Sequence, residues 1–431
     1  MSKQATQQIL IKGGMLIDGN GGPVVPNPGV YIEGDKIIAM GEGSAAITAD
    51  AWRAATVIDA TGQWVMPGMI DGHCHLSLHQ GGVPGVRYPA SAEFSTLWAA
   101  RSAQQALHAG QTGVSVPGGK WYADVAVREA IAGGMLEGPR VFCAGRGLTP
   151  LGGIFDTSPG WRDTPDDSAG IVCKTIEDYV THTREQCTYG VDMIKIADSY
   201  WGDTQAIALD ELKAVVGEAH RRNVKVSIHS RGAGSTRDSA LAGVDWIFHA
   251  DWAKEAEMEV VAQAGIPIMP VLVATKVAIE TAAEMGFSSD AKSRLEAQLD
   301  ANYKSMQLAK RLGIQILVGS DSGNAAAFEQ GRHHARELEL LVKEVGLTPM
   351  EAIMSATKHN AKVIGLDGKV GVLAEGMLAD ILLYDADPLK DIAVLGSKQH
   401  LKCVMKGGTV IDRSKMSYPE MPKEPTRAPK L

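Results

Sequence analysis

The sequence predicts an α/β protein: a (β/α)8 barrel with a small β-sandwich that both ends of the chain build together. Three observations lead to this fold class. Apolar strand-like runs alternate with amphipathic helical segments through the middle of the chain, as in parallel sheets joined by helices. Short strand signals separated by turns occur at both ends. No glycine-rich phosphate-binding turn follows an early strand, which argues against an open doubly wound sheet.

Both ends of the chain carry the strand signals of a small β domain. These runs lie at residues 8–12, 29–33, 36–40, 379–384 and 404–412. The simplest interpretation is one sandwich formed by residues 1–64 and 368–415, with the barrel between them at 65–367. The last residues, 416–431, contain four prolines and are predicted to form an extended tail.

Eight strand-like runs fill the middle of the chain. They lie at residues 65–73, 112–117, 140–146, 191–197, 224–229, 244–249, 266–272 and 314–321. Helices between them are indicated by apolar residues at helical spacing, such as Leu212, Val215, Val216 and Ala219. Because barrel chemistry lies at the C-terminal ends of the strands, functional residues are expected there.

The composition narrows the class of protein. With 45% hydrophobic and 21% charged residues, the 431-residue chain resembles an ordinary globular enzyme. A net charge of -8 argues against a nucleic-acid partner, and no long uninterrupted apolar run predicts a membrane span. Five scattered cysteines indicate reduced thiols in the cytoplasm. We therefore expect a cytoplasmic homo-oligomer that acts on a small molecule.

Polar residues with metal-binding side chains stand at the ends of five predicted strands. They are His73 and His75 after the first strand, Lys195 in the fourth, His229 in the fifth, His249 in the sixth and Asp321 in the eighth. His73 and His75 are two residues apart, so on a strand both imidazoles point to one side. Burying such groups without partners would cost several kcal/mol each. Their recurrence therefore predicts a shared metal site.

Strand alternation gives these side chains a common direction. In the fifth strand, Val226 and Ile228 lie on the face opposite His229, and in the sixth, Trp246 and Phe248 lie opposite His249. We therefore predict that the apolar face packs under helices while the polar residues point into the barrel. The remaining eight histidines, in helices or loops, are interpreted as structural or surface residues. They are His79, His108, His182, His220, His333, His334, His359 and His400.

Two further segments carry a family resemblance. The run from Gly371 to Ile381 is similar to the re-entry into the small domain of the amidohydrolase superfamily, and the run from Thr357 to Ala361 to its last barrel helix. With the strand-end residues, the chain resembles the binuclear, metal-dependent members. Ile194-Lys195-Ile196 and the segments that carry His229 and His249 are closest to the imidazolonepropionase- and prolidase-like subgroup.

This resemblance implies a ligand set and a mechanism. His73 and His75 with Asp321 would hold the more buried of two divalent ions, zinc being expected, and His229 with His249 would hold the second. Lys195, carboxylated by CO2, would bridge them, because an unmodified ammonium offers no lone pair. A bridging hydroxide would attack the carbonyl while Asp321 acts as general base and then acid. The alternative is a cationic Lys195 paired with Asp321 beside one metal.

The sequence departs from the subgroup where substrate is bound. Relatives often have Gly-Gly-His after the third strand, and this chain has Gly152-Gly153-Ile154. Tyr200, Trp201 or Arg231 could replace the missing histidine. Arg231 could pair with a substrate carboxylate or, as an alternative, with a loop carboxylate. The aromatic residues Trp121, Tyr122, Trp161 and Trp201 could line a substrate wall or pack under loops.

The expected function is hydrolysis of an amide-type C–N bond. An N-acyl amino acid or dipeptide is the favoured substrate, followed by xenobiotic amides, carbamates, ureas and cyclic amides. A mononuclear deaminase on the same barrel is the first alternative, since it needs Lys195 less. A non-catalytic scaffold is the second, although such a protein would be expected to lose ligands.

Overall fold

The computed structural model shows an α/β fold with four β-sheets. It describes residues 7–42, 55–78, 90–156, 161, 168–198, 202–284, 286–323, 330–331 and 333–414. The predicted C-terminal tail lies outside these residues. In the described part of the chain, no helix combines the length and apolar character needed to cross a membrane.

The strands alternate with the helices through the middle of the chain. The strands are β1 (Gln8–Lys12), β2 (Met15–Leu16), β3 (Val25–Pro26), β4 (Pro28–Glu33), β5 (Lys36–Glu42), β6 (Thr56–Asp59), β7 (Trp64–Pro67), β8 (Met69–Asp71), β9 (Gln111–Val116), β10 (Arg140–Cys143), β11 (Gly147–Pro150), β12 (Gly170–Cys173), β13 (Met193–Ala197), β14 (Lys225–Ser230), β15 (Trp246–His249), β16 (Ile268–Met269), β17 (Ile381–Tyr384), β18 (Leu401–Lys406) and β19 (Thr409–Val410). The helices are α1 (Ala92–His108), α2 (Ala123–Ala132), α3 (Ile176–Thr188), α4 (Leu209–His220), α5 (Ala233–Ala242), α6 (Glu255–Ala264), α7 (Leu272–Glu280), α8 (Ser289–Arg311), α9 (His334–Leu340), α10 (Pro349–Met354) and α11 (Asn360–Val363). The described residues also include two π-helical turns (Leu341–Val345 and Ser355–His359) and a 3₁₀ turn (Ile392–Gly396).

Two sheets contain the strands from the ends of the chain. One has the strand order β5-β4-β1-β6, and the other β19-β18-β17-β7-β2-β3, so the second sheet joins residues from both ends. Alternate residues of their strands form one buried apolar cluster, which includes Ile9, Ile11, Val30, Ile32, Val65, Ile381 and Leu383. Burial of this shared face holds the two sheets together.

The two remaining sheets are parallel and contain the predicted strands of the middle region. Their orders are β10-β9-β8 and β12-β11-β13-β14-β15-β16. Strands and helices share one large apolar cluster. The predicted third strand, 140–146, stops at Cys143, and β11 and β12, which the sequence did not predict, follow it.

The predicted first strand is divided at Gly68 into β7 and β8. β7 runs antiparallel to β17 in the mixed sheet, and β8 runs parallel to β9. A Cβ at Gly68 would lie 2.1 Å from Thr112 Oγ1, so only glycine fits this crossing. One continuous segment therefore carries the chain from the small sheets into the parallel strands that end at His73.

The predicted eighth strand, 314–321, forms isolated bridges and not a continuous strand. Ile316 pairs with Ile268 of β16, and Ser322 pairs with Cys74 just after β8. Ser320 and Asp321 both donate their backbone N–H groups to the carbonyl of His73. Asp321 has a left-handed backbone, which interrupts regular strand pairing. The segment nevertheless contacts β16 of one parallel sheet and the residues just after β8 of the other.

Candidate metal centre

His73, His75 and Asp321 bring three ligand atoms together. His75 Nε2 lies 2.9 Å from Asp321 Oδ1, His73 Nε2 lies 3.5 Å from the same oxygen, and the two Nε2 atoms are 3.3 Å apart. Ligand atoms about 3.3 Å apart are what bonds of about 2.0–2.1 Å to a tetrahedral metal require. Among the described residues, this is the group of histidine, cysteine and acidic side chains with metal-site spacing.

Hydrogen bonding prepares His75 as a ligand. Its Nδ1 is 2.7 Å from the carbonyl oxygen of Gly118, which can only accept, so Nδ1 carries the proton and donates it. In this tautomer the Nε2 lone pair and Asp321 Oδ1 are both acceptors, 2.9 Å apart, an arrangement that a shared cation would stabilise. Burial would raise the pKa of the Asp321 carboxyl, but His73 and His75 beside it hold that pKa below its usual value. Asp321 is therefore a carboxylate here.

Asp71 fixes the relative position of these segments, and the sequence reasoning missed it. Its Oδ1 accepts from the backbone N–H groups of His73 (3.1 Å) and Ser320 (3.0 Å), and its Oδ2 from Gln111 Nε2 (3.1 Å) and the Ser320 hydroxyl (2.5 Å). Asp71 is fully buried. One carboxylate thus ties the end of β8 to the residue before Asp321. The available signal was an acidic residue inside an apolar run, two positions before His73.

Lys195 lies in the middle of β13 and is 2% exposed. Its Nζ lies 3.8 Å from the centre of the Phe248 ring. Burial lowers the pKa of the Lys195 amine well below its usual value, and Arg231 lowers it further, while Asp321 opposes both effects. The amine is therefore held near Asp321 in a setting that favours its neutral form.

His229 and His249 face each other at the ends of β14 and β15. Their ring centres are 4.4 Å apart, and the ring of His249 is 5.9 Å from that of His73. The strand register pairs His229 with Phe248, and Ser230 with His249. His249 is therefore one residue out of step with His229. Its φ of +75° turns it out of the strand pleat, which explains how it still reaches His229.

The predicted direction of the sixth strand was wrong. Phe248 was expected to pack away from the polar residues, but its ring centre lies 4.1 Å from that of His73 and beneath the Lys195 amine. Trp246 packs edge-on against Phe248 on the same side. The alternation rule fails because His249 occupies a left-handed conformation, which the sequence pattern does not reveal.

Three of the eight non-glycine residues with a positive φ in the described part of the chain lie where β15 and segment 314–321 end. His249, Ala250 and Asp321 have φ values of +75°, +55° and +54°, and none of them is glycine. Such conformations cost roughly 1–3 kcal/mol each and persist where the surrounding structure imposes them. The strain lies at the residues that converge, as expected where function sets the geometry.

The imidazoles of this group fit a metal ion chemically. Burial lowers the pKa values of His73, His229 and His249 well below the usual value, so the rings are neutral, as metal ligands must be. At this centre, Nδ1 of His73, Nε2 of His229 and Nδ1 of His249 are buried and have no hydrogen-bond partner among the described residues. Neutral, buried imidazoles with unsatisfied nitrogens are suited to coordination.

Arg231 follows the alternative that pairs it with a loop carboxylate. Its Nη1 lies 2.5 Å from Oδ2 of Asp251, and both residues are buried. Asn302 Nδ2 donates to the other Asp251 oxygen at 2.6 Å. Sequence reasoning missed Asp251 and Asn302. The Arg231 charge lies close enough to lower the pKa values of His229, His249 and Lys195.

Most of the other residues predicted to contact substrate are either engaged with neighbouring segments or lie outside the described residues. Ile154 is partly buried, and its backbone N–H donates to the carbonyl of Asp198. Tyr200 and Trp201 lie outside the described residues. Of the predicted aromatic wall, Tyr122 stacks on Tyr189 at 3.8 Å and Trp121 Nε1 donates to the Ala90 carbonyl, so both pack against neighbouring segments.

Most of the histidines interpreted as structural pair away from the centre. His108 contacts Glu137, His182 contacts Glu185, His220 contacts Asp245, His400 contacts Asp385 and His334 contacts the Ile70 carbonyl. His79 lies outside the described residues. These partners agree with the structural interpretation.

Comparison with known proteins identifies the family. The model of the amidohydrolase family matches residues 64–411, which is most of the chain. The chain belongs to the amidohydrolase family. It is therefore a hydrolase by family, and the resemblance predicted from its sequence is confirmed.

Similar proteins place this amidohydrolase near the predicted subgroup. It is 29% identical to ochratoxinase of Aspergillus niger, over 93% of this chain and 85% of that protein. It is 22% identical to imidazolonepropionase of Cupriavidus taiwanensis, over 92% of this chain and 93% of that enzyme. The crystal structure of a Xaa-Pro dipeptidase with bound methionine is 25% identical, with a TM-score of 0.83, covering 94% of this chain and 100% of the other.

Proposed function

We propose that this amidohydrolase is a binuclear metal-dependent enzyme that cleaves an amide-type C–N bond. The observation that carries the proposal is the convergence of buried, neutral imidazoles, a lysine and an ionised carboxylate from five separate segments. Metal coordination requires neutral imidazoles, whereas an ion pair between a histidine and a carboxylate requires the protonated ring. Ochratoxinase, imidazolonepropionase and Xaa-Pro dipeptidase as relatives support the same class of reaction.

The ligand set divides between two ions, for which zinc is the expected metal. His73 and His75 with Asp321 would hold the first, and His229 with His249 the second. Lys195 would bridge them as a carbamate formed with CO2, a reaction that needs the neutral amine its burial favours. Bound divalent ions would supply a water of lowered pKa and polarise the substrate carbonyl.

The side chains of the chain itself supply proton transfer and orientation. Asp321 would take the proton released when water adds to the carbonyl, and would deliver it to the leaving nitrogen. Asp71 would keep His73 and Asp321 at a fixed separation through its four hydrogen bonds. Asp251 would hold Arg231 in position through their ion pair. The Arg231 guanidinium would still contribute positive potential near His229 and His249.

The favoured substrates are N-acyl amino acids and dipeptides. The names of the relatives support amide and peptide bonds more directly than ureas or carbamates. Xenobiotic amides, ureas, carbamates and cyclic amides remain in the test set because the residue after Gly153 is isoleucine, where the subgroup often has histidine.

The test joins metal analysis to a substrate panel. Purified protein loaded with zinc and bicarbonate should contain about two ions per chain and hydrolyse at least one N-acyl amino acid or dipeptide. Lys195→Ala should lose the second ion and most activity, and the unrelated Lys292→Ala on α8 should lose neither. Full activity of Lys195→Ala with one bound ion would contradict the binuclear proposal.

A mononuclear deaminase is the second candidate. The observation that favours it is that, among the histidine, cysteine and acidic side chains of the described residues, only His73, His75 and Asp321 have close metal-site spacing. This candidate predicts one ion per chain and release of ammonia from an aminated ring. Two ions per chain with amide cleavage would reject it.

We further propose how the sheets and segments assemble. The bridges of residues 314–322 to β8 and β16 support closure of the parallel strands into a (β/α)8 barrel over residues 65–367. The shared apolar cluster supports a β-sandwich formed by residues 1–64 and 368–415. A cytoplasmic homo-oligomer without nucleic-acid or membrane partners remains our expectation, and sedimentation of the purified protein tests the oligomer.

A further inference from the structure

Phe155 lies in a tight turn that is fastened at several points. Within residues 150–156, Gly153 donates to the Pro150 carbonyl, Asp156 donates to that of Gly153, and the Asp156 carboxylate accepts from the Gly152 N–H at 2.9 Å. The Ile154 N–H donates to the Asp198 carbonyl, just after β13. The turn therefore has a defined position relative to the strand that carries Lys195.

Two glycines of neighbouring strands leave room for the Phe155 side chain. A Cβ on Gly147 of β11 would lie 2.5 Å from Phe155 Cε2, and one on Gly170 of β12 would lie 2.2 Å from Phe155 Cβ. No side chain tolerates such distances to a ring held this way. Both positions must be glycine while the phenyl ring occupies this slot, so the slot is built for the ring.

The slot brings the ring beside two residues of the candidate metal centre. A Cβ added to Gly147, which would collide with Phe155, would also lie 3.4 Å from Lys195 Cγ. On the other side, the Cβ position of Gly118 is 3.6 Å from Phe155 Cζ and 3.6 Å from His75 Cε1. Phe155 remains partly exposed. Phe155 is therefore a partly exposed aromatic side chain in the neighbourhood of His75 and Lys195.

We infer that Phe155 is a specificity-determining residue whose ring receives the acyl group of the amide substrate, with a preference for flat aromatic acyl groups. The inference rests on the proposed function. A phenyl ring offers no hydrogen bond to a carbonyl, so this side of the site selects by apolar area and ring stacking. The subgroup's histidine next to this position would instead contact polar groups.

The position of Asp321 assigns the acyl side to Phe155. The leaving nitrogen must lie near the residue that protonates it, and Asp321 belongs to the segment that contacts β8 and β16. Phe155 lies among β11, β12 and the Lys195 part of β13, with Gly118 after β9 on its other side. When the nitrogen points toward Asp321, the acyl substituent points toward the Phe155 ring.

The experiment compares three N-acyl glycines that differ only in the acyl group: N-benzoyl, N-cyclohexanecarbonyl and N-acetyl. Wild-type enzyme should have the highest kcat/KM for the benzoyl substrate. Phe155→Ala should lower that value by about tenfold or more, the loss expected for one aromatic contact, and change the acetyl value by less than about threefold. Phe155→Leu should restore the cyclohexanecarbonyl value more than the benzoyl value.

The matched control is Leu151→Ala, because Leu151 lies in the same turn and is 61% exposed. It should leave all three values within about twofold. Binding of the acid products supplies a readout apart from turnover: Phe155→Ala should weaken inhibition by benzoate about tenfold and leave inhibition by acetate unchanged. Metal content and thermal midpoint establish that each variant is folded.

Three results separate the possibilities. If folded Phe155→Ala lowers kcat/KM equally for all acyl groups, Phe155 only supports the turn and the inference is wrong. If the benzoyl value rises, the ring blocks the acyl site and the inference is also wrong. If metal-loaded wild-type enzyme hydrolyses no amide of a wider panel, the proposed function fails, whatever the variants do.

Discussion

Two groups of buried charged residues in this amidohydrolase differ in how completely they are paired. Where the parallel strands meet the small sheets, Asp380 accepts from Arg140 through both oxygens (3.0 and 3.1 Å) and from the Gly407 N–H at 2.7 Å. At the candidate metal centre, three ring nitrogens of the described histidines lack partners, and His249 and Asp321 have strained backbones. The first group is hydrogen-bonded within the protein, whereas the second contains buried ring nitrogens without hydrogen-bond partners among the described residues.

The difference separates residues that stabilise the fold from residues that serve chemistry. A fully hydrogen-bonded pair destabilises the protein when one partner is removed, because the other is left buried and charged. Substitution in a cluster of similar groups with strained backbones should cost little stability or even increase it, because functional sites are often less stable than other arrangements of the same residues would be. Substitutions in the two groups should therefore affect different measurements.

The largest expected effect is that of Asp321→Asn. It removes a proposed ligand and the proton-transfer group together, so kcat/KM should fall by about three orders of magnitude or more. The thermal midpoint of metal-free protein should stay the same or rise, because asparagine tolerates the left-handed conformation better than most residues. Kinetics, metal analysis and thermal unfolding test both parts. Activity within tenfold of wild type would remove Asp321 from the mechanism.

Arg140→Ala should have the reverse profile. Removing the guanidinium leaves the Asp380 carboxylate buried without its main partner, which should lower the free energy of unfolding by about 3 kcal/mol. Values of kcat/KM per folded molecule should stay within about twofold. Arg184→Ala is the control, because that arginine is 55% exposed in its pair with Glu218 and should cost less than about 1 kcal/mol. Equal losses in both variants would contradict the comparison.

Asp71→Asn tests a residue that belongs to both groups, since it is fully paired yet holds the centre together. The amide can accept on one side only, so the variant loses either the backbone N–H donors of His73 and Ser320 or the donors of Gln111 and the Ser320 hydroxyl. Metal affinity or kcat/KM should fall by about 10–100-fold. Metal titration and kinetics measure this. A change in stability alone, with metal affinity unchanged, would assign Asp71 to the structural group.

The smallest effect is expected for His220→Asn. His220 pairs with Asp245 at the partly exposed end of α4, and such pairs contribute little. The free energy of unfolding should change by less than about 0.5 kcal/mol, and kcat/KM by less than about twofold. Thermal unfolding and kinetics of this variant, beside Asp321→Asn, show whether the effect of a substitution depends on which group it falls in.

Much of the fold and of the candidate site could be predicted from side-chain chemistry. A histidine, lysine or aspartate at the end of an apolar run is costly unless it meets a partner, and five such ends implied a common partner. The α/β alternation followed from the two hydrophobic periods of the chain. The family followed from the same residues and their order.

The parts that could not be predicted depend on backbone conformation and on contacts between distant segments. The orientation of His249 depends on its left-handed backbone conformation, which the sequence pattern does not predict. Because His249 was assumed to follow regular strand alternation, Phe248 was expected on the wrong face of β15. The division at Gly68 depends on the approach of Thr112. Phe155 fits against β11 and β12 only because Gly147 and Gly170 lack side chains.

The crossing at Gly68 has a consequence for the order in which the molecule can be completed on the ribosome. β7 lies between β2 and β17 in its sheet, and the chain reaches His73 six residues after β7 ends. Synthesis supplies β2 early, but β17 emerges only once translation has passed residue 384. Until then β7, which leads into His73 and His75, lacks its neighbouring strand β17. A nascent chain in which all the proposed ligands have been synthesised therefore still cannot complete the sheet that positions the first two.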